Sequence, residues 1–173
     1  MFLVGCYTGL RFSDLSLIEP ANIQTNDSGS FIRIKTQKTG ETVVVPLHYR
    51  VKEILIKYNN ELPRAITNQK MNDYLKELGE EAKINEEICY YRTRGNNRIQ
   101  VTKKKHEMIT VHTARRTFAT NAYKAGMDII SIMGLTGHKT ERAFRKYIKI
   151  SQEENATRLI NHPYFLEQLK IVK

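Results

Sequence analysis

Four short pieces of this sequence carry side chains that together could act on a phosphodiester. They are Thr8-Gly9-Leu10-Arg11, Lys38-Thr39-Gly40, His112-Thr113-Ala114-Arg115, and Gly137-His138 with Tyr147 nine residues on. Singly, each is ordinary: an arginine after a turn, a solvated lysine, two residues on one helix face at i and i+3. As a set they hold what a metal-free attack on a phosphodiester requires. The pentavalent transition state gathers negative charge on its non-bridging oxygens, and two guanidiniums can clamp that charge bidentately where lysine cannot. A phenol with an ordinary pKa of about 10 is mostly neutral, so a tyrosine nucleophile needs a base to take its proton. An acid must protonate the leaving 5′ oxygen, and a lysine on a mobile turn can reach it. The sequence offers no H-E-x-x-H, no paired Cys/His ligands and no acidic cluster for a metal route, and no G-x-x-x-x-G-K-[ST] loop for ATP.

These residues must be positioned by elements that the patterning predicts. Residues 2–10 are apolar and read as a helix already under way before Met1. Ser13 reads as the cap of a short helix through Leu17, stopped by Glu19-Pro20. A run from Ile23, the turn Asn26-Asp27-Ser28-Gly29, the alternation Phe31–Lys35, a turn at Lys38–Glu41 and the β-branched run Thr42–Pro46 predict a three-stranded antiparallel sheet. Lys38 would lie in its second turn. Helical stripes follow at Val51, Ile54, Leu55 and Tyr58, and at Met71, Tyr74, Leu75 and Leu78, with Thr67 or Asn68 as the cap of the second. Helix resumes at His112, with Ala114, Phe118, Ala122 and Ala125 as its buried stripe and Gly126 just past its end. Asp128 caps a helix through Met133. Gly134 and Gly137 make a loop, Thr140 starts another helix near Glu141, and the chain then reaches Tyr147. The fold class is therefore α+β, mainly helical.

Between these helices lies a basic segment. Residues 92–105 hold Arg92, Arg94, Arg98, Lys103, Lys104 and Lys105 around a Gly95-Asn96-Asn97 turn, which predicts a basic hairpin or loop. Over the whole chain, 28 Lys and Arg against 18 Asp and Glu leave +10 on 173 residues. That excess points to a polyanionic partner. No apolar run approaches the roughly 18 residues a membrane crossing needs. Two cysteines without C-x-x-C spacing, Cys6 and Cys89, read as reduced thiols, and the location expected is cytoplasmic, with nucleoid DNA.

In order and spacing, Thr-Gly-Leu-Arg11, Lys38 in Lys-Thr-Gly, His112-x-x-Arg115-Arg116-Thr-Phe-Ala-Thr, Leu-Thr-Gly-His138 and Tyr147 resemble the catalytic signature of the tyrosine recombinases, the phage-type integrases. The wording around Thr-Gly-His-Lys-Thr-Glu and Arg-Lys-Tyr-Ile-Lys is more similar to integrases of conjugative and integrative elements than to the Xer branch. The resemblance implies the catalytic-domain fold of that family, spanning residues 1–173 with a tail from 148 on. It implies that Arg11 and Arg115 bind the scissile phosphate, that Lys38 acts as general acid, that His112 assists proton transfer and that His138 hydrogen-bonds a phosphate oxygen. Tyr147 would form a 3′-phosphotyrosyl link, whose retained bond energy lets a new strand be joined without ATP, metal or other cofactor. Arg116 stays outside the catalytic set. Double-stranded DNA is the implied partner, a homo-tetramer on DNA the implied assembly of the full-length enzyme, and accessory directionality factors its implied helpers.

Family members carry DNA-binding domains ahead of the catalytic one, so the expectation is a catalytic-domain fragment, monomeric by itself. The basic segment would grip phosphates flanking the cut. Leu159, Ile160, Phe165, Leu166 and Leu169 of the tail would fold back or dock on a neighbour. Two other readings share features with this one: a type IB topoisomerase-like relaxation of DNA, and an inactive DNA-binding remnant.

Overall fold

The computed structural model describes residues 1–166. It opens with helix α1 (Phe2–Thr8), the single-turn helix α2 (Phe12–Leu15) and a 3-10 turn at Pro20–Asn22. Strands β1 (Ile23–Asn26), β2 (Gly29–Lys35) and β3 (Thr42–Pro46) follow, then helices α3 (Tyr49–Lys57) and α4 (Asn68–Glu81). Strands β4 (Glu87–Arg94) and β5 (Asn97–Lys104) lead through a 3-10 turn at Lys105–Met108 into helix α5 (Val111–Lys124). Helices α6 (Ile129–Thr136), α7 (Glu141–Phe144), α8 (Gln152–Leu159) and α9 (Pro163–Leu166) complete the described chain.

The sheet β1-β2-β3 is antiparallel, with Ile32 opposite both Ile23 and Val45, and Ile34 opposite Val43. The period-two pattern puts Ile32, Ile34, Val43 and Val45 on one face, where all four are buried. That face packs with Val4, Leu10, Leu15, Val51 and Leu55 into the larger core cluster. A second, smaller cluster gathers Ala119 of α5, Ile132 of α6 and Phe144 of α7, with Tyr147 and Ile148 against it. Helix α5 borders both clusters, because α1 lies along it on one side and α6 on the other.

The junction of α1 with α5 depends on one glycine. Gly9 ends α1 at φ 68, and a Cβ there would sit 2.3 Å from Cδ1 of Phe118. Both the left-handed backbone and the close approach select for the missing side chain. The strand pair β4–β5 is a second, separate two-stranded sheet whose residues are mostly exposed. Its base is keyed to α4 at Gly79, where a Cβ would meet Cβ of His106 at 2.8 Å. Buried His106 also hydrogen-bonds Asn85 through Nδ1 (3.0 Å).

Several expectations are corrected. The residue at the start of α2 is Arg11, not Ser13, and the helix ends at Leu15 rather than Leu17. Gly134 is helical, because α6 runs on to Thr136 and only Gly137, at φ 64, leaves the helix. Helix α7 stops at Phe144, so Tyr147 lies past it in a turn held by its N–H to the Phe144 carbonyl (2.8 Å). On α4 the covered stripe is Leu75 and Gly79, while Tyr74 and Leu78 face solvent, because the hairpin base packs where the glycine leaves room. On α5 the buried residues are Ala114, Arg115 and Ala119; Phe118 and Ala122 are half-buried and Ala125 is exposed. In the tail, Leu159 is half-buried, Ile160, Phe165 and Leu166 are exposed, and Leu169 lies outside the described residues.

Candidate active site

Arg115 is the centre of the site and one of its most buried side chains, 1% exposed. Its Nη1 donates to the carbonyl of Gly9 (2.6 Å) and its Nη2 to the carbonyl of Thr136 (2.6 Å). One guanidinium thus ties the end of α1, beside the larger core cluster, to the end of α6, beside the smaller one. These acceptors are the terminal carbonyls that a helix leaves without internal partners, and they carry the negative end of each helix dipole. Burial, and then the nearby charge of Arg11, lower the Arg115 pKa to about 10. The Nε of Arg115 and Nη1 of Arg11 are buried without a protein hydrogen-bond acceptor among the described residues.

Arg11 heads α2 in extended conformation and lies 3.9 Å from Asp14, one turn on. Asp14 is fully buried, and its Oδ1 accepts the backbone N–H of Gln37 at 2.9 Å. The carboxylate therefore ties Arg11 to the β2–β3 turn, immediately beside Lys38. That turn is set by Gly40 at φ 69, by its N–H to Thr36 O (3.0 Å), and by a Thr36–Thr39 hydroxyl pair at 2.7 Å. Lys38 is exposed at its tip. Nearby, Lys139 pairs with Glu41 at 2.9 Å, linking the turn to the segment after α6.

His138 follows the left-handed Gly137. The Thr136 hydroxyl lies 2.7 Å from the Ile132 carbonyl and 2.7 Å from Nδ1 of His138. Nη2 of Arg115 lies 3.2 Å from Nδ1 and 3.3 Å from Nε2, so the hydroxyl and the guanidinium together hold the ring. Burial, then the charges of Arg115 and Arg11, push the His138 pKa down to about 4, so the ring is neutral near pH 7. His112, one turn before Arg115, is likewise lowered, first by burial and then by Arg115, Arg116, Arg11 and Lys38.

Tyr147 stands edge-on to His138, ring centroids 4.7 Å apart, with the Arg115 guanidinium 5.6 Å from its own ring centre. Phe144 contacts the other side of His138 at 5.3 Å. The backbone on either side of the tyrosine is held by Thr120 of α5. The Thr120 hydroxyl donates to the Tyr147 carbonyl (3.2 Å) and accepts the Lys149 N–H (3.1 Å).

The six candidates for chemistry from the sequence therefore converge. Arg115, His138 and Tyr147 are in contact, the charge of Arg11 acts on Arg115 and His138, and those of Lys38, Arg11 and Arg115 act on His112. The cluster confines several cationic groups with Asp14 as the carboxylate in the same network, so its local field favours an anion. Among the described residues, no group of three or more His, Cys, Asp or Glu gathers to hold a metal ion. Sequence reasoning missed Asp14, Thr120 and Thr136. The i, i+3 spacing of Arg11 and Asp14 was the available signal for the first, and the position of Thr136 between Leu135 and Gly137-His138 for the last.

The six basic candidates lie apart, on the hairpin, and all are exposed. Register places Arg92, Arg94 and Lys103 on one face with Ile88, Tyr90 and Val101, and Arg98 and Lys104 on the other. Arg98 stacks over Tyr91 at 4.2 Å, and Lys105, just past the strand, pairs with Glu86.

A mainly helical domain with a small antiparallel sheet, and two arginines, two histidines and a tyrosine at the meeting of α1, α5 and α6, is the architecture of a tyrosine recombinase catalytic domain. Residues 1–154 match the phage integrase family, and the chain belongs to it. Among curated proteins it is 27% identical over 151 residues to a tyrosine recombinase of Pseudothermotoga lettingae and 26% identical to one of Thermosipho africanus. In each case 86% of this chain and 48% of the relative are covered, so the chain spans about half the length of the curated relatives it matches. Its fold matches the crystal structure of XerA recombinase (TM-score 0.65, 19% identity, 92% of this chain and 55% of that one). It also matches the Tn1549 transposon integrase in complex with circular intermediate DNA (TM-score 0.58, 14% identity, 93% and 56%). Xer proteins and a transposon integrase share this fold, so the fold does not divide those branches.

Proposed function

We propose that residues 1–173 form the catalytic unit of a DNA-cleaving and rejoining tyrosine recombinase. The observation that carries this reading is the buried Arg115, fixed between two helix ends beside Arg11, His138 and Tyr147. Two guanidiniums held close without two matching carboxylates gain most from an incoming phosphodiester, and more still from the extra charge of its transition state.

In this reading the Tyr147 oxygen attacks the phosphorus and the bond from phosphorus to the 5′ oxygen breaks. The phenolic proton passes to His112 or water, and Lys38 supplies the proton that the departing 5′ hydroxyl needs. His138, neutral with its proton on Nε2, donates to a phosphate oxygen in concert with Arg115. The product is a 3′-phosphotyrosyl ester, and attack by another 5′ hydroxyl reverses the step on a new strand. No nucleotide hydrolysis or metal is drawn on. The hairpin residues Arg92, Arg94, Arg98, Lys103, Lys104 and Lys105 would hold the duplex backbone beside the cut. XerH recombinase has been captured with its difH substrate in pre-cleavage and post-cleavage complexes, and such a duplex complex is the state proposed for this chain. Assembly as a tetramer on DNA and a response to directionality factors belong to the same proposal.

The test is a nicked suicide duplex carrying the cognate site, from which the cleaved end diffuses away. Wild-type protein should become covalently joined to the 3′ end, and Tyr147→Phe should give no adduct. An adduct that survives Tyr147→Phe would refute the nucleophile. Relaxation of a supercoiled plasmid without exchange of partners would instead favour the topoisomerase-like reading.

A further inference from the structure

Threonine inside a helix commonly turns its hydroxyl back on the carbonyl four residues earlier. Thr8, Thr136 and Thr157 do so here, onto Val4, Ile132 and Glu153. Thr120 does not. It sits well inside the fourteen-residue helix α5, where a β-branched residue is not the best helix former, and its hydroxyl leaves the helix altogether. It donates to the carbonyl of Tyr147 and accepts from the N–H of Lys149, so one side chain closes both ends of a three-residue stretch.

The stretch would otherwise have few constraints. Helix α7 has ended at Phe144, which is fully buried, and the tyrosine lies three residues beyond that anchor. Ile148, between the two bonded groups, is half-buried against the smaller core cluster. Phe144 therefore fixes the segment on one side of Tyr147 and Thr120 on the other. Because Thr120 stands five residues after Arg115 on the same rigid helix, the clamp refers the tyrosine directly to the residue proposed to bind phosphate. We propose that Thr120 is a positioning residue that holds Tyr147 of its own chain in register with Arg115 for attack on the phosphate. The inference rests on the recombinase reading above and adds a residue that acts through the nucleophile's backbone without touching DNA.

Two substitutions separate this role from a merely structural one. Thr120→Val keeps shape and branching and loses both hydrogen bonds, whereas Thr120→Ser keeps the hydroxyl. With saturating protein on the nicked suicide duplex, the rate of adduct formation by Thr120→Val should fall about tenfold, the scale expected when a reacting group loses its alignment. Its DNA affinity and melting temperature should stay at wild-type values, and Thr120→Ser should recover at least half of the wild-type rate. In parallel, hydrogen exchange in free protein should be faster at the Lys149 amide in Thr120→Val alone. Wild-type cleavage by Thr120→Val, a serine variant as slow as the valine one, or a loss that follows the melting temperature would each overturn the proposal. If wild-type protein forms no adduct, the recombinase reading has failed. The exchange measurement still decides the clamp, since an unchanged Lys149 amide in Thr120→Val overturns it.

Discussion

The site around Arg115 and the β4–β5 hairpin both concentrate positive charge, yet they treat it in opposite ways. Arg115 is 1% exposed, spends its terminal nitrogens on two backbone carbonyls, and is depressed in pKa by burial and by Arg11. Arg92, Arg94, Arg98 and the lysines of the hairpin stand in solvent, where water has already satisfied them. Buried charge is costly to keep and precise in position; exposed charge is inexpensive and loosely placed. The first suits the discrimination of a transition state, the second long-range attraction that salt screens.

Placing the same substitution in both regions tests that division most severely. Arg115→Lys should slow adduct formation on the order of a hundredfold or more, because an ammonium cannot span both carbonyls and still meet a phosphate. Arg92→Lys should leave the rate unchanged at saturating protein. Equal losses in single-turnover trapping would erase the distinction.

Backbone is the next comparison. Gly9 and Gly95 both have positive φ, 68° and 60°, but only Gly9 faces a neighbour within 4 Å. Gly9→Ala should destabilise by about 2–4 kcal/mol through strain plus collision with Phe118. Gly95→Ala should lose about 1 kcal/mol from strain alone. Urea unfolding measures both, and a milder effect at Gly9 would contradict the packing described.

Proton linkage gives a smaller effect, again confined to the buried region. His138 has a folded pKa of about 4 against an ordinary 6.5, so the unfolded chain takes up its proton first as pH falls. Its contribution is therefore present above pH 6.5 and is lost progressively as pH drops toward 4. His138 is half-exposed, so solvent weakens the effect. Melting temperature followed over that range should decline less in His138→Gln than in wild type; parallel curves would count against the assignment.

Smallest in energy, though plain in its signature, is the hairpin itself. Replacing Arg92, Arg94 and Lys103 with Ala removes the three basic residues of one face and should lower the slope of log affinity against log salt by up to about 2.7. Lys105→Ala should change it by less than about one unit, since Glu86 already holds that ammonium. A slope insensitive to the triple substitution would leave the hairpin a solvated ribbon.

The sequence made the chemistry more legible than the packing. Six residues in fixed order announced the site, and period-two alternation located the sheet around Lys38. The i, i+3 relation of His112 and Arg115 put them on one helix face, but nothing in it said that Arg115 would be among the most buried side chains, because charged residues on helices are normally solvated. Glycine weakens a helix in isolation, which suggests a loop at Gly134, but the capping of α6 by Asp128 and the burial of Ile132 and Thr136 carry the helix through it. Ser13 has the propensity of a cap, but α2 begins at Arg11, whose carbonyl accepts the N–H groups of Asp14 and Leu15. Tyr74 and Leu78 looked buried because a stripe shows which residues share a face, not where a neighbouring hairpin will leave that face uncovered.

The bond between Arg115 and the Gly9 carbonyl joins residues 106 apart in the sequence. Its two partners come from distant stretches of chain that only the folded domain brings together. The cluster around Arg115 therefore exists only once the segments that build it have all been made and have closed on one another. A chain that has emerged only as far as its sheet carries Arg11 and Lys38 without Arg115, His138 or Tyr147. If the proposed chemistry is right, topology alone ties its assembly to the closure of the domain.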